Sequence, residues 1–419
     1  MAEKACWLTN VRLETGYRYD NGTVAGTETA LFHIQIADGK ISDIVPADEP
    51  LETNVPRRDA NGALMLPAFR DMHIHLDKTY YGGPWKAPTI AARGIWTRLE
   101  EERKLLPRLL PVARERAERL LELLIQAGST RIRTHCNVDP IVGLKNLEAT
   151  LQAAETYKGR AAVEIVAFPQ HGLLRSQSVS LVREALRSGA GIVGGVDPAT
   201  VDGNIEKSLH TVMELAVAAD ADIDLHIHDP GQLGIFTFQR LAALTEEAGW
   251  QGRVNISHAL ALADIPPEEA GRVAELLARQ GITITSSVPL GKTIPIPLLS
   301  DKGLRISLGD DSITDHWSPF GKGDSLEKAG ILAERFGLRD ERSLGQALRY
   351  ITGGVTPLDP QGRRLWPNAG DDADLVLVAA SCSAEAVARR AGRVAVFFQG
   401  NQVAGELGAQ HAERMRFVE

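Results

Sequence analysis

The chain has 419 residues, of which 44% are hydrophobic and 24% are charged, and its formal net charge is -8 at pH 7. This composition is typical of an ordered globular protein and excludes a disordered chain. The acidic balance argues against a nucleic-acid partner, because binding to phosphate backbones normally requires a basic face, so we expect a small-molecule substrate.

The two ends of the chain share a β-strand pattern. Residues 1–63 contain ACWLTNVRLE and ALFHIQIADGKISDIVP, where the DGK turn between alternating apolar positions is typical of a hairpin. Residues 370–419 repeat the pattern in DADLVLVA, RVAVFFQG and QVAGEL. We predict that residues 1–63 and 370–419 together form one small β-sandwich domain.

Residues 64–369 show short apolar strands, each followed by a longer stretch with helical periodicity. This alternation indicates a parallel sheet with crossover helices. The eight predicted strands are LMLPAFRDMHIH, STRIRTHCN, AVEIVAFPQ, GIVGGVD, DIDLHIHD, RVNISHA, ITITSSV and LRISLGDDS. Eight units predict an α/β fold, a closed (β/α)8 TIM-like barrel. A doubly wound open sheet is the alternative, but its usual Gly-rich phosphate loop after the first strand is absent.

The cysteines and the N-terminal segment indicate in which cellular compartment the protein is expected. The three cysteines, Cys6, Cys136 and Cys382, are odd in number and far apart, which favours neither disulfides nor a paired-thiolate metal site. The N-terminal segment becomes charged too early for a signal peptide, and no stretch approaches the ~18 apolar residues that span a bilayer. We expect a cytoplasmic protein without membrane contacts.

Polar residues cluster at the predicted carboxyl ends of the strands, which is the face where such barrels carry their active sites. Seven of the 11 histidines fall there, whereas random placement would scatter them over helices and loops. These histidines are His73, His75, His135, His171, His226, His228 and His258. Gln170, Asp229, Asp310 and Asp311 also lie at strand ends. The set therefore predicts a catalytic site.

His73 and His75 form an HxH pair, and the period of two in a strand places both imidazoles on one face. Neutral imidazoles with a carboxylate suit Zn2+ or Fe2+, and an open coordination position would hold water. Alone the pair is a weak signal. Together with a histidine at the end of strand five and an aspartate at the end of strand eight, it becomes specific for a metal site.

The segments HIHLDKT, VAFPQHG, DLHIHD, ISHA and GDDSITDHW resemble the cytosine deaminase branch of the amidohydrolase superfamily. The resemblance covers essentially the whole chain and leaves homo-oligomerisation open. It implies one divalent metal ion, Zn2+ or Fe2+, and a set of catalytic and substrate-binding residues. The implied metal ligands are His73, His75, His226 and Asp311; the implied catalytic residues are His258, Asp311 and Asp229; and the implied substrate contacts are Gln170, Ser312 and Trp317.

The resemblance implies hydrolytic deamination of a free pyrimidine base, cytosine and 5-methylcytosine, to uracil or thymine plus ammonia. In this implied reaction, Asp311 and His258 accept the proton of the attacking water, and Asp229 protonates the ring nitrogen next to the amino-bearing carbon. Gln170 hydrogen-bonds the amide edge of the ring and Trp317 closes over it. The absence of a lysine after strand four, which ends in Val196 and Asp197, implies a single metal ion.

Two departures from the cytosine deaminase pattern affect the expected substrate. Asp229 is one methylene shorter than the glutamate at that position, which leaves isocytosine, creatinine, an N-substituted aminotriazine or ring opening of a cyclic amide as alternatives. Ser312 replaces an aspartate close to the C5 edge of the ring, so we expect room for a C5 substituent. The alternative interpretation is that Ser312 caps the following turn. For His171 a solvated loop position is expected, and for His228 a supporting hydrogen bond.

Overall fold

The structure is a computed structural model that describes residues 5–407. The strands in chain order are β1 (Ala5–Asp20), β2 (Thr23–Ala37), β3 (Lys40–Pro46), β4 (Arg57–Asp59), β5 (Leu64–Pro67), β6 (Phe69–Ile74), β7 (Ser129–Asn137), β8 (Ala162–Phe168), β9 (Ile192–Val196), β10 (Asp222–His226), β11 (Val254–Ser257), β12 (Thr283–Ser286), β13 (Ile306–Leu308), β14 (Leu375–Val378), β15 (Arg393–Phe398) and β16 (Asn401–Gly405).

Helices follow most of the barrel strands. In chain order they are α1 (Ile95–Leu109), α2 (Ala113–Gln126), α3 (Lys145–Thr156), α4 (Val179–Arg187), α5 (Ile205–Ala219), α6 (Gly231–Glu247), α7 (Pro267–Arg279), α8 (Ile296–Asp301), α9 (Ser325–Phe336), α10 (Glu341–Gln346) and α11 (Ser383–Arg389). Short 3-10 helices cover Leu110–Val112, Leu260–Ala263 and Ala347–Tyr350. Within residues 5–407, no helix combines the length and apolar character needed to span a bilayer.

The helices follow from their sequences. In α7, Ala270, Val273, Ala274 and Leu277 are buried at helical spacing, while Pro267 opens the helix and two glutamates lie in its first turn. These positions favour the helix because proline is tolerated at the first turn and negative charge there complements the helix dipole. The apolar stripe of each such helix packs against the sheet inside it.

One of the two β-sheets in residues 5–407 forms the barrel. Its strands β6 to β13 lie side by side in chain order, and all neighbouring pairs are parallel. A parallel bridge between Ile74 and Asp311 joins the last strand to the first. Gly309 makes this closure possible, because a Cβ there would lie 2.5 Å from the backbone nitrogen of His73. The predicted closed (β/α)8 barrel is confirmed.

Both ends of the chain build the other sheet, in the order β16-β15-β14-β5-β1-β2-β3 with β4 beside β1. The sheet curls over its own core: a Cβ on Gly39, in the turn between β2 and β3, would lie 3.3 Å from the carbonyl oxygen of Gln399 near the turn between β15 and β16. The small β domain built from both termini is thus present, as one curled sheet.

One segment lies in a different sheet from the one predicted. Leu64–Pro67 was expected at the start of the first barrel strand, but it pairs antiparallel with β14 in the terminal sheet. The barrel strand begins only at Phe69, whose amide donates to the carbonyl of Gly128. All four residues of Leu64–Pro67 are buried. A short apolar run fits a buried strand in either sheet, so the sequence alone assigned this segment to the wrong sheet.

Candidate active site

The four side chains predicted as metal ligands meet at the carboxyl-end rim of the barrel. Ligand atoms of His73, His75 and His226 lie within 4.8 Å of one another, and so do those of His73, His258 and Asp311. Nε2 of His73 and Nε2 of His75 each lie 3.5 Å from Oδ1 of Asp311. The ends of β6 and β10 and the segment after β13 thus bring these four side chains together in two overlapping groups that share His73.

A chain of hydrogen bonds fixes which nitrogen of His73 faces this cluster. The hydroxyl of Ser257 donates to Oδ1 of Asp224 at 2.7 Å, and its oxygen lies 2.8 Å from Nδ1 of His73. Because the single proton of the serine goes to the carboxylate, its oxygen accepts the proton carried by Nδ1. Nε2 of His73 is then left with the lone pair that a metal ion needs.

His75 is oriented by the backbone of β7. Its Nδ1 donates to the carbonyl oxygen of His135 at 3.0 Å, which leaves Nε2 unprotonated toward Asp311. Burial and the nearby ammonium of Lys78 lower the pKa of His75 to about 4. Burial also lowers the pKa of His226 well below its usual value. Both rings are therefore neutral at pH 7, as metal ligands must be.

The cluster contains buried nitrogen atoms that no group in residues 5–407 satisfies. Nε2 of His73 and both ring nitrogens of His226 are buried without a hydrogen-bond partner. A buried polar atom without a partner costs roughly 1–3 kcal/mol, so such atoms call for a ligand. Nitrogen and carboxylate donors in this number suit one Zn2+ or Fe2+ ion, and the residues fit it.

Asp311 differs from the histidines in access and in backbone conformation. Its side chain is 27% exposed, whereas those of His73 and His75 are 2% and 4% exposed, so the cluster opens to solvent on the Asp311 side. Asp311 has φ +64° and the neighbouring His258 has φ +73°. Left-handed backbone at non-glycine residues is strained and is typical of functional sites.

Two further histidines line the open side of the cluster. The ring of His258 lies 4.8 Å from that of His73 and 4.3 Å from that of His228. Nδ1 of His228 lies 3.0 Å from Oδ2 of Asp197, a contact that orients the ring. Burial lowers the pKa of His228, but the carboxylates of Asp197, Asp311 and Asp229 together outweigh burial and leave the pKa above its usual value. His228 thus has the supporting hydrogen bond that the sequence leads us to expect.

Asp229 is buried and its carboxylate is engaged by the loop after β9. Oδ2 accepts the amide of Ala199 at 2.9 Å, and Oδ1 accepts the amide and the hydroxyl of Thr200 at 3.0 and 2.7 Å. Ligand atoms of Asp229 are not part of the metal-binding clusters found in residues 5–407. The carboxylate of Asp229 is therefore tied to the loop after β9 and lies outside the metal-binding clusters of the described residues.

Gln170 lies beside a buried lysine that the sequence analysis missed. Nζ of Lys78 donates to Oε1 of Gln170 at 2.7 Å, and both side chains are almost fully buried. Lys78 also lies 5.9 Å from the ring centre of Phe168, and that ring stacks on His226 with centres 4.1 Å apart. The lysine and the glutamine are thus separated from the metal ligands by the width of one aromatic ring.

Glu102 of α1 holds this polar cluster together. It accepts hydrogen bonds from Lys78 at 3.3 Å, from Nε1 of Trp317 at 3.0 Å and from Nε2 of His316 at 3.0 Å. Burial opposes its ionisation, but Lys78, His316 and His171 together outweigh burial and hold the pKa of Glu102 well below its usual value. Trp317 is anchored by this bond with its ring 5.5 Å from the Lys78 ammonium.

The other predicted residues have simpler surroundings. Ser312 is half-buried and makes no side-chain hydrogen bond within the described part of the chain, so the turn-cap interpretation finds no support there.

His171 is buried and not solvated as expected, with Nε2 3.4 Å from Oε2 of Glu102. The expectation failed because an inserted helix, α1, covers the loop that carries His171.

Clustered neutral imidazoles, with a carboxylate open to solvent and buried hydrogen-bond donors nearby, suit hydrolysis of a small polar molecule. On a (β/α)8 barrel, this arrangement defines the class of metal-dependent barrel hydrolases.

Comparison with known proteins is consistent with this class. The Amidohydrolase family profile matches residues 58–404. Uncharacterized protein YahJ of Escherichia coli (strain K12) is 44% identical over 404 residues, which are 96% of this chain and 88% of that protein. N-isopropylammelide isopropyl amidohydrolase of Pseudomonas sp. (strain ADP) is 34% identical over 349 residues, covering 82% of this chain and 86% of that protein.

A solved structure extends the similarity to three dimensions. N-isopropylammelide isopropylaminohydrolase from Burkholderia multivorans ATCC 17616 superimposes with a TM-score of 0.83 at 30% identity, covering 96% of this chain and 98% of that one. The chain belongs to the amidohydrolase family, which confirms the predicted superfamily. It is a hydrolase that acts on C-N bonds, in a superfamily whose enzymes bind a divalent metal ion.

Proposed function

We propose that the chain is a hydrolytic deaminase of a free, amino-substituted oxo-heterocycle, with cytosine and 5-methylcytosine as its first candidate substrates. The observation that carries the proposal is the convergence of His73, His75, His226 and Asp311, with buried nitrogens that lack protein partners. The products are uracil or thymine plus ammonia.

The residues around the cluster supply the proton transfers. A bound Zn2+ or Fe2+ ion would supply hydroxide at neutral pH, because coordination lowers the pKa of water from 15.7 to about 7. Asp311, on the open side of the cluster, and His258 accept the proton of the attacking water. Asp229 donates a proton to the ring nitrogen next to the amino-bearing carbon, and the second proton of the attacking water restores it. The proton taken up by Asp311 and His258 passes to the amino group, which leaves as ammonia. Such positioned acids and bases each contribute about 10²- to 10⁴-fold to the rate.

Lys78 and Gln170 support recognition of an oxo-substituted ring. The ammonium of Lys78 can only donate, and it occupies Oε1 of Gln170. Nε2 of Gln170 makes no hydrogen bond within residues 5–407, so its protons are available to a substrate. The wall of the proposed site formed by Lys78 and Gln170 thus offers hydrogen-bond donors through the NH2 group of Gln170. A matching substrate carries hydrogen-bond acceptors, such as a ring carbonyl oxygen, on the edge that faces this wall. The ring of Trp317 covers the same region.

An N-substituted aminotriazine with ring carbonyls is a second candidate. Two observations favour it: the short side chain of Asp229, and the 34% identity to an N-isopropylammelide isopropyl amidohydrolase. A ring with two carbonyl groups would also match the NH2 donors of Gln170. In that case the released product is an alkylamine.

An amine-release screen tests these proposals. The substrates are cytosine, 5-methylcytosine, isocytosine, creatinine, N-isopropylammelide and a cyclic amide, each with metal-loaded and chelator-treated protein. We expect ammonia from an aminopyrimidine, or isopropylamine from the triazine, with the metal-loaded protein only. Ring opening without amine release, or turnover unaffected by the chelator, would contradict the proposal. His73→Ala serves as the inactive reference.

A further inference from the structure

A separate cavity lies at the end of the barrel opposite the metal-ligand cluster. Its volume is about 430 Å3, within the range of roughly 300–1,000 Å3 of small-molecule sites. Residues at the amino ends of strands line it, including Arg70 of β6, Asn255 of β11 and Thr283 of β12. The segment from Arg349 to Gly354 covers one side. Since barrel hydrolases use the carboxyl end for catalysis, this cavity is not part of the active site.

Unpaired guanidinium groups give this cavity a positive charge. Four arginines line it: Arg70, Arg133, Arg305 and Arg349. Arg133 is neutralised by Glu164 at 2.8 Å and by Asp224 at 3.0 Å. The other three form no ion pair with a carboxylate of residues 5–407.

Arg70 and Arg349 are the half-buried members of this set, whereas Arg305 is exposed. The guanidinium of Arg70 packs against Gly353, where a Cβ would lie 2.4 Å from its Cζ. Burial and the charge of Arg131 lower the pKa of Arg70, so its surroundings disfavour the cation. Nε of Arg349 is buried without a partner, while its Nη2 donates to the Tyr350 hydroxyl at 3.1 Å.

A buried amide adds a further donor. Asn255 is 4% exposed, and its Oδ1 accepts the hydroxyls of Thr283 and Thr285 at 2.8 and 3.2 Å. Its Nδ2 is buried without a hydrogen-bond partner among the described residues. Leaving such a donor unpaired is costly, so an acceptor in the cavity would stabilise it.

The carboxylates nearest to this cavity are already engaged. Asp224 accepts hydrogen bonds from Arg133 and Ser257, and Glu164 pairs with Arg133. Asp374, which interacts electrostatically with Arg70, forms an ion pair with Arg131 at 3.2 Å. None of them forms an ion pair with Arg70 or Arg349 among the described residues, so an anion from outside the chain would be the first ion-pair partner of these two guanidinium groups.

We propose that this cavity binds a small phosphate-type oxyanion, held by the guanidinium groups of Arg70 and Arg349 and by the amide of Asn255. Guanidinium groups match the oxygens of phosphate in pairs of parallel hydrogen bonds, and the amide and nearby hydroxyls complete a donor-lined site. The anion would link β6, at the closing seam of the barrel, to β11 and to the segment that carries Arg349. Its binding therefore stabilises the closed barrel.

Binding is measured by calorimetry and by thermal unfolding of the metal-loaded protein, with inorganic phosphate against chloride at equal ionic strength. Phosphate should bind saturably and raise Tm by at least about 2 °C. A small phosphate monoester, glycerol 3-phosphate, is the second ligand. Tighter binding of the ester would identify a phosphorylated metabolite as the occupant, and tighter binding of phosphate would identify the free anion. No saturable binding of either would overturn the proposal.

Two variants test whether phosphate binds in this cavity. Replacing both Arg70 and Arg349 with glutamine should weaken phosphate binding at least about tenfold, because two charge-assisted hydrogen-bonding groups are lost. Asn255→Asp places a carboxylate where the anion would lie, so it should raise Tm without phosphate and remove the response to phosphate. The control Arg183→Gln removes one exposed charge on α4 and should bind like the parent. Phosphate binding that survives in both cavity variants would place the ligand elsewhere and overturn the proposal.

Discussion

Nζ of Lys78 donates to Oε1 of Gln170 at 2.7 Å, and this bond fixes which end of the glutamine amide faces the pocket. An ammonium group cannot accept a hydrogen bond, so it selects the oxygen of the amide and turns the NH2 group outward. Lys78 is in turn held by Glu102, which links α1 to the barrel. The orientation of the Gln170 amide, and with it the donor character proposed for the substrate-binding wall, thus depends on a buried charge pair.

Lys78→Met is expected to lower kcat/KM by about 10- to 100-fold, because Gln170 loses its fixed orientation and Glu102 loses the ammonium group that balances its buried charge. Loss of one partner of a buried ion pair costs about 3–5 kcal/mol, so Tm should fall as well. Steady-state kinetics and thermal unfolding measure both. Lys86→Met, at an exposed lysine nearby, is the matched control and should change neither. A kcat/KM within threefold of the parent would remove Lys78 from the recognition site.

Ser257→Ala tests the orientation of His73 without touching a metal ligand. The variant removes the oxygen that accepts the Nδ1 proton of His73, and loss of such a supporting group typically weakens metal binding 10- to 100-fold. Competition with a chromogenic chelator measures the affinity. His210→Ala, at an exposed histidine on α5, is the control. Unchanged metal affinity in Ser257→Ala would show that another contact orients the imidazole.

Asp229→Asn separates proton donation from support of the loop. If Asp229 donates a proton, kcat should fall by about 10²-fold or more, since an amide cannot replace the acid. Thr200→Val removes one hydrogen bond to the same carboxylate and keeps the acid, so its kcat should stay within about tenfold of the parent. Should Asp229→Asn lower Tm while retaining kcat, the residue only anchors the loop of Ala199 and Thr200.

Ser312→Asp tests whether this position controls the size of the substrate. The longer, charged side chain should lower kcat/KM for 5-methylcytosine by at least about tenfold relative to cytosine, because it fills the space assigned to the C5 substituent. The ratio of the two kcat/KM values is the measurement. Ser312→Ala, which keeps the space, should preserve the ratio of the parent. An equal loss on both substrates in Ser312→Asp would argue against a role in C5 selection.

The sequence predicted the barrel and the gathering of histidines at its carboxyl end because strand periodicity and strand ends carry a local signal. Which of these side chains bind a metal ion stays a prediction. His73 and His75 follow the period of two, and their companions lie at the ends of other predicted strands. Lys78 was missed because a lysine is normally solvated, and only the packing of α1 buries it. Glu102 carried a usable signal: it lies on the buried face of α1 together with Leu99 and Leu106.

Other features depend on contacts between distant segments. Leu64–Pro67 is apolar enough for either sheet, and only its pairing with β14 decides between them. The unpaired arginines of the opposite cavity likewise come from strands and from a loop that lie far apart in the chain. No local pattern reports whether an arginine has a carboxylate partner.

Elemental analysis of the purified active protein, combined with anomalous diffraction at the absorption edge of the metal found, tests the proposed metal centre. We predict about one divalent ion per chain, with its anomalous peak between His73, His75, His226 and Asp311, and loss of both ion and turnover in His73→Ala. Full activity in protein free of metal, or a peak away from these four side chains, would contradict this prediction.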